Sequence, residues 1–369
     1  MISVFFVLKC FTERRTASEM MILVNILVGI VVAVALTVGL VVALGWLASA
    51  PPYRGPVTDH FDGRRFRNYR ATPHNDFREA AKWAVNRQRG YWKPRRDEPI
   101  GPPPPERIDG EQLRVTFVNH TTVLLQTHGI NILTDPIWSE RCGPVSWFGP
   151  RRVRPPGIRF DDLPPIDVVL LSHNHYDHCD LPTLRQLART HKPQVIVPLG
   201  NRDFLERRRV PVLHELDWWQ AVGFSGLTIT AIPVRHFAGR GLFDRDRSLW
   251  CGYMVETASG SICFAADTGH GDHFEQIRNR LGAPRLALLP IAAFRPEWFM
   301  SRVHMSPEQS LEAHAILGAK TSVATHYGTF PLADDGETEA AERIAANVHR
   351  IPKGTQFWVL GFGEGRDVK

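Results

Sequence analysis

A long uncharged apolar run stands near the beginning of the chain. Between Met20 and Ala50 there is no Asp, Glu, Lys or Arg, and Val, Leu and Ile predominate. A helix needs roughly 20 apolar residues to cross about 30 Å of hydrocarbon, so this run predicts one tilted transmembrane helix. A buried core helix of this length would normally show a polar face, and a cleaved signal peptide has an apolar part of only about 7–15 residues. We therefore predict an uncleaved, single-pass membrane anchor over residues 20–50.

Beyond residue 110 the pattern changes to short apolar runs that are separated by turn residues. Such runs, rich in Val, Leu and Ile, predict β-strands. The predicted strands are Leu113–Val118, Thr122–Gln126, Ile130–Thr134, Asp167–Leu171, Gln194–Pro198, Leu227–Val234, Tyr253–Glu256, Ser261–Ala265, Leu286–Pro290, Thr321–Thr325 and Gln356–Leu360. The segments Leu181–Thr190, Ser306–Leu317 and Thr338–Val348 predict helices, and Ser306 with Gln309 forms a capping-box signal at the start of the second. Sheets with helices mostly outside them predict an α/β protein of layered type.

The composition is that of a folded protein. The chain has 369 residues, of which 43% are hydrophobic and 22% are charged, and it shows no internal repeat. Its five cysteines are scattered and form no C-x-x-C pair, so neither a disulfide framework nor a thiolate zinc site is expected. Any metal chemistry must therefore come from histidine and carboxylate side chains.

The segment 51–110 is basic and aromatic. Its arginines alternate with Tyr, Phe and Trp, a combination that suits an anionic lipid surface, while an ordinary solvated face with packed aromatics is the alternative. A proline run, Pro102–Pro105, closes this arm as a stiff connector. The expected organisation is a tail over 1–19, the anchor over 20–50, the arm over 51–110 packing on the catalytic domain, and that domain over 111–369.

Charge also bears on orientation and partners. More basic residues follow the apolar run than precede it, which slightly favours a catalytic domain on the cytoplasmic face of the membrane. The net charge of +6 comes without a nucleic-acid-binding motif, so no nucleic-acid partner is expected. The sequence leaves the oligomeric state open.

The chemistry is concentrated in one segment, Ser172–Asp180, which follows an apolar strand and precedes a predicted helix. His173 and His175 are two residues apart in extended chain, so they project to the same side and can bind one ion. Asp177 and His178 lie one bend further on and can reach a second ion. The pattern H-x-H-x-D-H therefore indicates a metal centre rather than a solvated polar loop.

Three further residues stand where predicted strands meet glycine-containing loops. They are His236, Asp267 and His326. Asp267 is the candidate whose carboxylate could bridge two metals, which gives one site from His173, His175 and His236 and a second from Asp177, His178 and His326. Imidazole and carboxylate without thiolate suit zinc, with iron and manganese as alternatives.

The chain resembles the metallo-β-lactamase-fold hydrolases, and within them the N-acylphosphatidylethanolamine-hydrolysing phospholipase D branch. The resemblance covers roughly Tyr53 to Phe362, through the motifs TDPIW, HNHYDH, AADTGHG, RPEWFM and THYGTF. It implies a four-layer αβ/βα sandwich with a binuclear zinc site along one edge, and it places His304 beside the metals. The chain departs from the family at Asn119, where glycine is usual, and at Cys179, where leucine is usual.

These residues suggest a reaction. Two cations sharing a water lower its pKa towards roughly 7 and so supply hydroxide at neutral pH. Asp177 is expected to orient this hydroxide as well as to bind metal, and His304 to protonate the leaving alkoxide or bind a phosphate oxygen. Tyr327 is a weaker candidate for substrate binding; it and His120 have a structural role as the alternative. Two other histidines, His270 and His273, are expected to be loop residues.

The preferred function is a membrane-anchored, zinc-dependent phosphodiesterase that cleaves an N-acylphosphatidylethanolamine-like phospholipid to phosphatidate and an N-acylethanolamine. The predicted membrane anchor, the basic and aromatic arm and the resemblance to phospholipases all favour this substrate. The expected partners are the membrane bilayer and the phospholipid substrate. The alternative is a zinc hydrolase of a soluble ester, lactone or thioester, because the same metal set serves those reactions. A non-catalytic metal-binding module and a nuclease are weaker hypotheses.

Overall fold

A computed structural model describes residues 17–70 and 76–369 of the chain. Except for its last three residues, the predicted tail over 1–19 lies outside the described residues. The chain divides into two compact units: one holds the N-terminal helix together with Gly241–Phe243, and the other holds Ala50–Arg240 with Asp244–Lys369.

The N-terminal helix, α1, extends over Ala17–Ala48. Its part Met20–Ala48 has a mean hydropathy of 3.0, and none of its most apolar stretch is buried. At 1.5 Å per residue, these 29 residues extend over about 43 Å, enough to cross the hydrocarbon layer when tilted. By length and composition, α1 could span a membrane.

The second unit contains two seven-stranded sheets. The strands of the first, in spatial order, are β14 (Gly365–Val368), β1 (Leu113–Asn119), β2 (Thr122–Thr127), β3 (Ile130–Thr134), β4 (Val168–Leu170), β5 (Gln194–Pro198) and β6 (His214–Leu216). Strands β14 to β3 pair antiparallel, and β3 to β6 pair parallel.

The second sheet repeats this plan. Its spatial order is β13 (Gln356–Trp358), β12 (Thr321–Thr325), β11 (Leu286–Pro290), β10 (Gly260–Phe264), β9 (Gly252–Thr257), β8 (Leu227–Ile232) and β7 (Ala221–Phe224). Strands β7 to β10 pair antiparallel and β10 to β13 pair parallel.

The helices of the second unit lie outside the two sheets. They are α2 (Phe77–Val85), α3 (Leu181–Thr190), α4 (Arg202–Glu206), α5 (His273–Leu281), α6 (Glu297–Met300), α7 (Pro307–Leu317) and α8 (Glu339–Asn347), with short 3₁₀ turns at Phe160–Asp162 and Val348–Arg350. Alternate residues of a strand face opposite sides of its sheet. Val168 and Leu170 of β4 face the main core between the sheets, whereas Val169 and Leu171 pack against the apolar residues of α3 and α4 on the other side. The four-layer αβ/βα arrangement is thus confirmed.

The three predicted helices are confirmed, and each predicted strand is present with small shifts at its ends. Strand β8 stops at Ile232 rather than Val234 because Pro233 has no N–H for the ladder. Sequence reasoning missed three short strands, β6, β7 and β14, and the helices α2, α4, α5 and α6. Most of these elements span only three to five residues, too few to show a hydrophobic period.

The arm belongs to the second unit and is attached by both apolar and charged contacts. Phe61 and Phe66 are buried in the main core. Arg87 Nε lies 2.7 Å from Asp334 Oδ1, and Arg107 pairs with Asp167. Part of the arm's positive charge therefore serves to hold it on the sheets, and this part is not free for an anionic surface.

Candidate metal centre

Four strands bring the predicted ligands to one edge of the two sheets. The loop with His173–His178 follows β4, His236 follows β8, Asp267 follows β10 and His326 follows β12 directly. At His326 the chain turns with a left-handed φ of 60°, which costs energy for a non-glycine residue and is held by the surrounding structure. Residues up to 153 positions apart along the chain thereby meet at one place.

One group consists of three imidazoles. His173 Nε2 lies 2.8 Å from His175 Nδ1, and His236 Nε2 lies 3.3 Å from the same atom. Burial lowers the pKa of His173 and of His236 well below the ordinary value, and it lowers the pKa of His175 to about 4. The three rings are therefore neutral at pH 7, the form in which imidazole binds a metal ion.

A second group combines carboxylate and imidazole. His178 Nε2 lies 3.3 Å from Asp177 Oδ2, and His326 Nε2 lies 3.5 Å from that oxygen. Asp267 Oδ2 stands between the groups, 3.2 Å from His178, 3.1 Å from His326 and 3.7 Å from His236 Nε2. Asp267 is thus placed where one oxygen can reach an ion in either group.

The atoms in this cluster fit divalent metal ions. His178 Nε2, His326 Nε2 and Asp267 Oδ1 are buried without a hydrogen-bond partner among the described residues. Buried polar atoms without partners cost stability, so their convergence calls for a ligand. Sets drawn from these side chains have their ligand atoms within 4.8 Å of one another, and imidazole with carboxylate suits zinc, iron or manganese.

The electrostatics favour a cation in the same place. Burial alone would raise the pKa of Asp177 and Asp267, but the neighbouring imidazoles, His178 foremost, hold both well below the ordinary value. Burial opposes protonation of His326, yet Asp267 and then Asp177 raise its pKa to about 9. The two ionised carboxylates therefore attract positive charge, which a proton or a metal ion can supply.

Hydrogen bonds behind the ligands fix their orientation. Asp135, which follows β3 and is fully buried, has its Oδ2 2.7 Å from His178 Nδ1. Ser172 Oγ donates to Asp135 and lies 2.8 Å from His173 Nδ1, which leaves Nε2 of His173 facing the cluster. His236 Nδ1 similarly donates to a backbone carbonyl at 3.0 Å. Sequence reasoning gave no role to Asp135, although its position after an apolar strand was a usable signal.

Two other contacts that the sequence did not reveal hold the loops. The Asn68 side chain of the arm bonds both the N–H and the carbonyl of His236, at 3.0 and 2.9 Å. Arg240 donates to the carbonyls of Asn174 and Cys179, at 2.9 and 2.8 Å, and its guanidinium lies 3.9 Å from the centroid of a tyrosine ring in the same loop. The loop that carries His236 and the loop that carries His173–His178 are therefore each held by hydrogen bonds from side chains outside the metal cluster.

His304 lies at the mouth of the cluster. Its ring centroid is 5.2 Å from that of His236 and 5.3 Å from that of His326, and Nδ1 is 4.0 Å from Asp267 Oδ2. Its side chain is 13% exposed, whereas those of His236 and His326 are almost fully buried. Burial lowers the pKa of His304 to about 4, so the ring is neutral at pH 7 and can donate a hydrogen bond.

The weaker candidates occupy different places. Tyr327 is buried, its hydroxyl donates to the Leu360 carbonyl and its ring stacks on Phe117 at 4.8 Å, a placement that supports its structural alternative. His120 adjoins the second group: its Nε2 lies 2.9 Å from Asp177 Oδ2, and it shares a possible metal-binding set with Asp177, His178 and His326. His273 is the first residue of α5 rather than a loop residue and bonds Thr268.

Comparison with known proteins gives the same fold and relatives of stated chemistry. Residues 130–327 match the family described as Beta-lactamase superfamily domain. An uncharacterized protein of Mycobacterium tuberculosis is 36% identical over 269 residues, 72% of this chain and 72% of that protein. The N-acyl-phosphatidylethanolamine-hydrolyzing phospholipase D 1 of Caenorhabditis elegans is 36% identical over 239 residues, 62% of this chain and 66% of the enzyme. The structure of Igni18, a metallo hydrolase from Ignicoccus hospitalis, superposes with a TM-score of 0.52 at 19% identity, over 70% of this chain and 99% of that one, a likeness of fold alone.

Proposed function

The chain belongs to the beta-lactamase superfamily and is a metal-dependent hydrolase, and from this premise we propose that it is a membrane-anchored, binuclear zinc phosphodiesterase. Its proposed substrate is an N-acylphosphatidylethanolamine-like phospholipid, cleaved to phosphatidate and an N-acylethanolamine. The observation that carries the proposal is Asp267 Oδ2 standing within 3.7 Å of imidazole nitrogens from both groups of candidate ligands. The similarity to the worm phospholipase supports the substrate class, and the apolar helix α1 supports attachment to a bilayer.

In this proposal the seven clustered residues divide between two ions. The first ion would be held by His173, His175 and His236, and the second by Asp177, His178 and His326, with Asp267 within reach of both. When bound, two divalent ions supply a water of lowered pKa as nucleophile and neutralise charge on a phosphate. The protein supplies three neutral imidazoles in the first group, two ionised carboxylates that favour a cation beside His178 and His326, and hydrogen bonds that keep the rings in their binding orientation.

Two residues at the mouth act on water and substrate. Asp177 has a side chain that is 13% exposed, more than its neighbour Asp267, so it can accept a hydrogen bond from the attacking water as well as bind metal. His304 is neutral at pH 7, so its N–H donates a hydrogen bond to a phosphate oxygen or to the leaving oxygen rather than carrying a full positive charge there. Tyr327 takes no part, because its hydroxyl is engaged by Leu360.

The test uses full-length, zinc-loaded protein in proteoliposomes that contain N-acylphosphatidylethanolamine. We expect chelator-sensitive release of phosphatidate and N-acylethanolamine from protein that holds about two zinc ions. Asp177→Asn should lower release by on the order of a hundredfold or more, whereas His270→Ala, a partly exposed histidine outside the cluster, should not. Folded protein with two metals that hydrolyses soluble esters, lactones or thioesters but not the lipid would overturn the phospholipid assignment.

A further inference from the structure

A tight hairpin presents two large apolar side chains to solvent. It extends over residues 141–151, and at its tip Trp147 is 74% exposed and Phe148 is 60% exposed. Large aromatic side chains in adjacent positions at this exposure are unusual on a soluble surface and mark a site of interaction. We refer to residues 141–151 as the Trp147 hairpin.

The Trp147 hairpin has a defined backbone. Cys142 N–H donates to the Pro150 carbonyl at 3.1 Å, and the backbones of the two halves of the hairpin are in close contact at Gly143 and Gly149. A Cβ on Gly143 would lie 2.0 Å from the Phe148 carbonyl oxygen, and Gly149 has a φ of +107° that side chains rarely adopt. Glycine is therefore required at both positions, and the tip is held in one geometry.

Positively charged side chains stand at the base of the same hairpin. Arg141 and Arg151 pair across the base of the hairpin, and Arg96 reaches Glu140 at 2.9 Å. Glu140 also lies 3.2 Å from Arg151, so two arginines share this one carboxylate, while the Arg141 guanidinium donates to the Gly149 carbonyl at 2.7 Å. A net excess of cationic groups next to exposed Trp and Phe matches the interface of an anionic bilayer.

The base of the hairpin adjoins the metal centre. Cys142 packs in a small apolar cluster with Phe330, and Tyr176 packs against that cluster. Tyr176 immediately precedes Asp177, and the Phe330 ring lies 5.5 Å from the ring of His120, which bonds Asp177. The base of the hairpin is thus packed against the loop that carries Asp177, one of the two residues assigned to the mouth of the metal centre.

We propose that the Trp147 hairpin inserts into an anionic lipid surface and sets the mouth of the metal centre against the headgroups. The inference rests on the proposed function for its purpose, since a phospholipid must leave the bilayer plane to reach the ions. Two side chains at a loop tip are too few for a stable protein interface, which buries about 800 Å² on each partner. An aromatic pair with flanking arginines is sufficient for shallow insertion into a bilayer.

A fluorescent label tests insertion without any turnover. Trp147→Cys, in full-length protein with Cys10→Ser, is labelled with an environment-sensitive dye; Cys142, Cys179, Cys251 and Cys263 are buried and should react little. The protein is reconstituted in phosphatidylcholine–phosphatidylglycerol vesicles with nitroxide on shallow acyl carbons. The control label is at Ala258→Cys, in the exposed turn before β10, at the opposite end of that strand from Asp267. We expect at least twofold quenching at 147 and little at 258; equal, weak quenching at both positions would overturn the proposal.

A second measurement separates insertion from chemistry. Trp147→Ser with Phe148→Ser should lower hydrolysis of the bilayer lipid at least tenfold while hydrolysis of a water-soluble, short-chain phosphodiester stays within twofold. The matched control is Leu213→Ser, an exposed apolar residue before β6 at the far edge of the sheet, which should change neither rate. Equal losses on both substrates would assign the hairpin to the site itself and overturn insertion. Quenching at 147 without any lipid hydrolysis would overturn the proposed function and keep the membrane contact.

Discussion

Asp135 offers the sharpest test of how the second ion would be held. The substitution Asp135→Asn keeps the volume but exchanges one carboxylate oxygen for an NH₂ group. In the native structure Asp135 is fully buried, its Oδ2 lies 2.7 Å from His178 Nδ1, and it accepts from Ser172 N and Oγ at 2.7 and 2.6 Å. An amide has one acceptor oxygen for these three donors, so its NH₂ group faces either His178 Nδ1 or the Ser172 N–H, and the bond that fixes the His178 ring and tautomer is lost or weakened.

The expected loss can be estimated from this geometry. Removing the partner of a metal-binding imidazole typically lowers metal affinity by about 10–100-fold, or about 1.4–2.7 kcal/mol. A hydrogen bond to a charged group contributes about 1.5–3 kcal/mol, which is the same range. We therefore expect the zinc ion bound through His178 to dissociate at 10–100-fold lower chelator concentration in Asp135→Asn than in the wild type.

The assay is a zinc competition titration with a chromophoric chelator, alongside circular dichroism to show that the variant is folded. The control is Asp180→Asn. Asp180 is also buried and accepts from Ser139 and Thr183, at 2.7 and 2.5 Å, but its hydrogen bonds reach none of the candidate ligands. It should lose stability without a selective loss of zinc. Wild-type affinity for both ions in folded Asp135→Asn would refute this account of the centre.

Three further outcomes follow from other contacts. Asn68→Ala removes both bonds to the His236 backbone and should lower zinc affinity at the first ion by roughly tenfold, measured by the same titration; unchanged affinity would show that the arm does not position this ligand. Burial raises the pKa of Asp334, but Arg87 and backbone donors hold it below its ordinary value in the folded state, so the carboxylate stabilises the fold above about pH 4 and this contribution is lost as pH falls. The urea midpoint of the wild type should therefore drop more between pH 5 and 3 than that of Asp334→Asn, and parallel curves would contradict this. Free zinc at about 100 times its dissociation constant should raise the unfolding free energy by about 2.7 kcal/mol per site, and a midpoint unaffected by zinc or chelator would argue against a metal centre in the folded state.

The strands and the metal motif could be predicted because they depend on local rules. Alternation along Val168–Leu171 marks a strand between two apolar layers, and the two-residue spacing of His173 and His175 places their rings on one side in any extended chain. His236 and His326 were recognisable as polar residues that end apolar strands. For such residues the covalent chain itself dictates the relevant geometry.

Resemblance supplied what local rules did not. No spacing rule connects His304 to the metal motif, and only the family pattern placed it beside the ions. For Tyr327 the sequence allowed two roles, substrate binding or packing. In the structure its hydroxyl donates to the Leu360 carbonyl, which favours the packing role. The arginines of the arm also had two possible roles. The sequence shows their positive charge, but whether they face lipid or form ion pairs, as Arg87 does with Asp334, depends on residues far away in the chain.

What only the tertiary structure decided is the set of contacts between segments far apart in the chain. Asn68 clamps His236 from 168 residues away, and Asp135 meets His178 across 43 residues. Neither partner carries a local signal for the other, because a hydrogen bond of this kind depends on the order in which strands join the sheets. Periodicity and spacing determined which residues could bind metal, whereas sheet topology determined which of them share an edge and what holds each one in place.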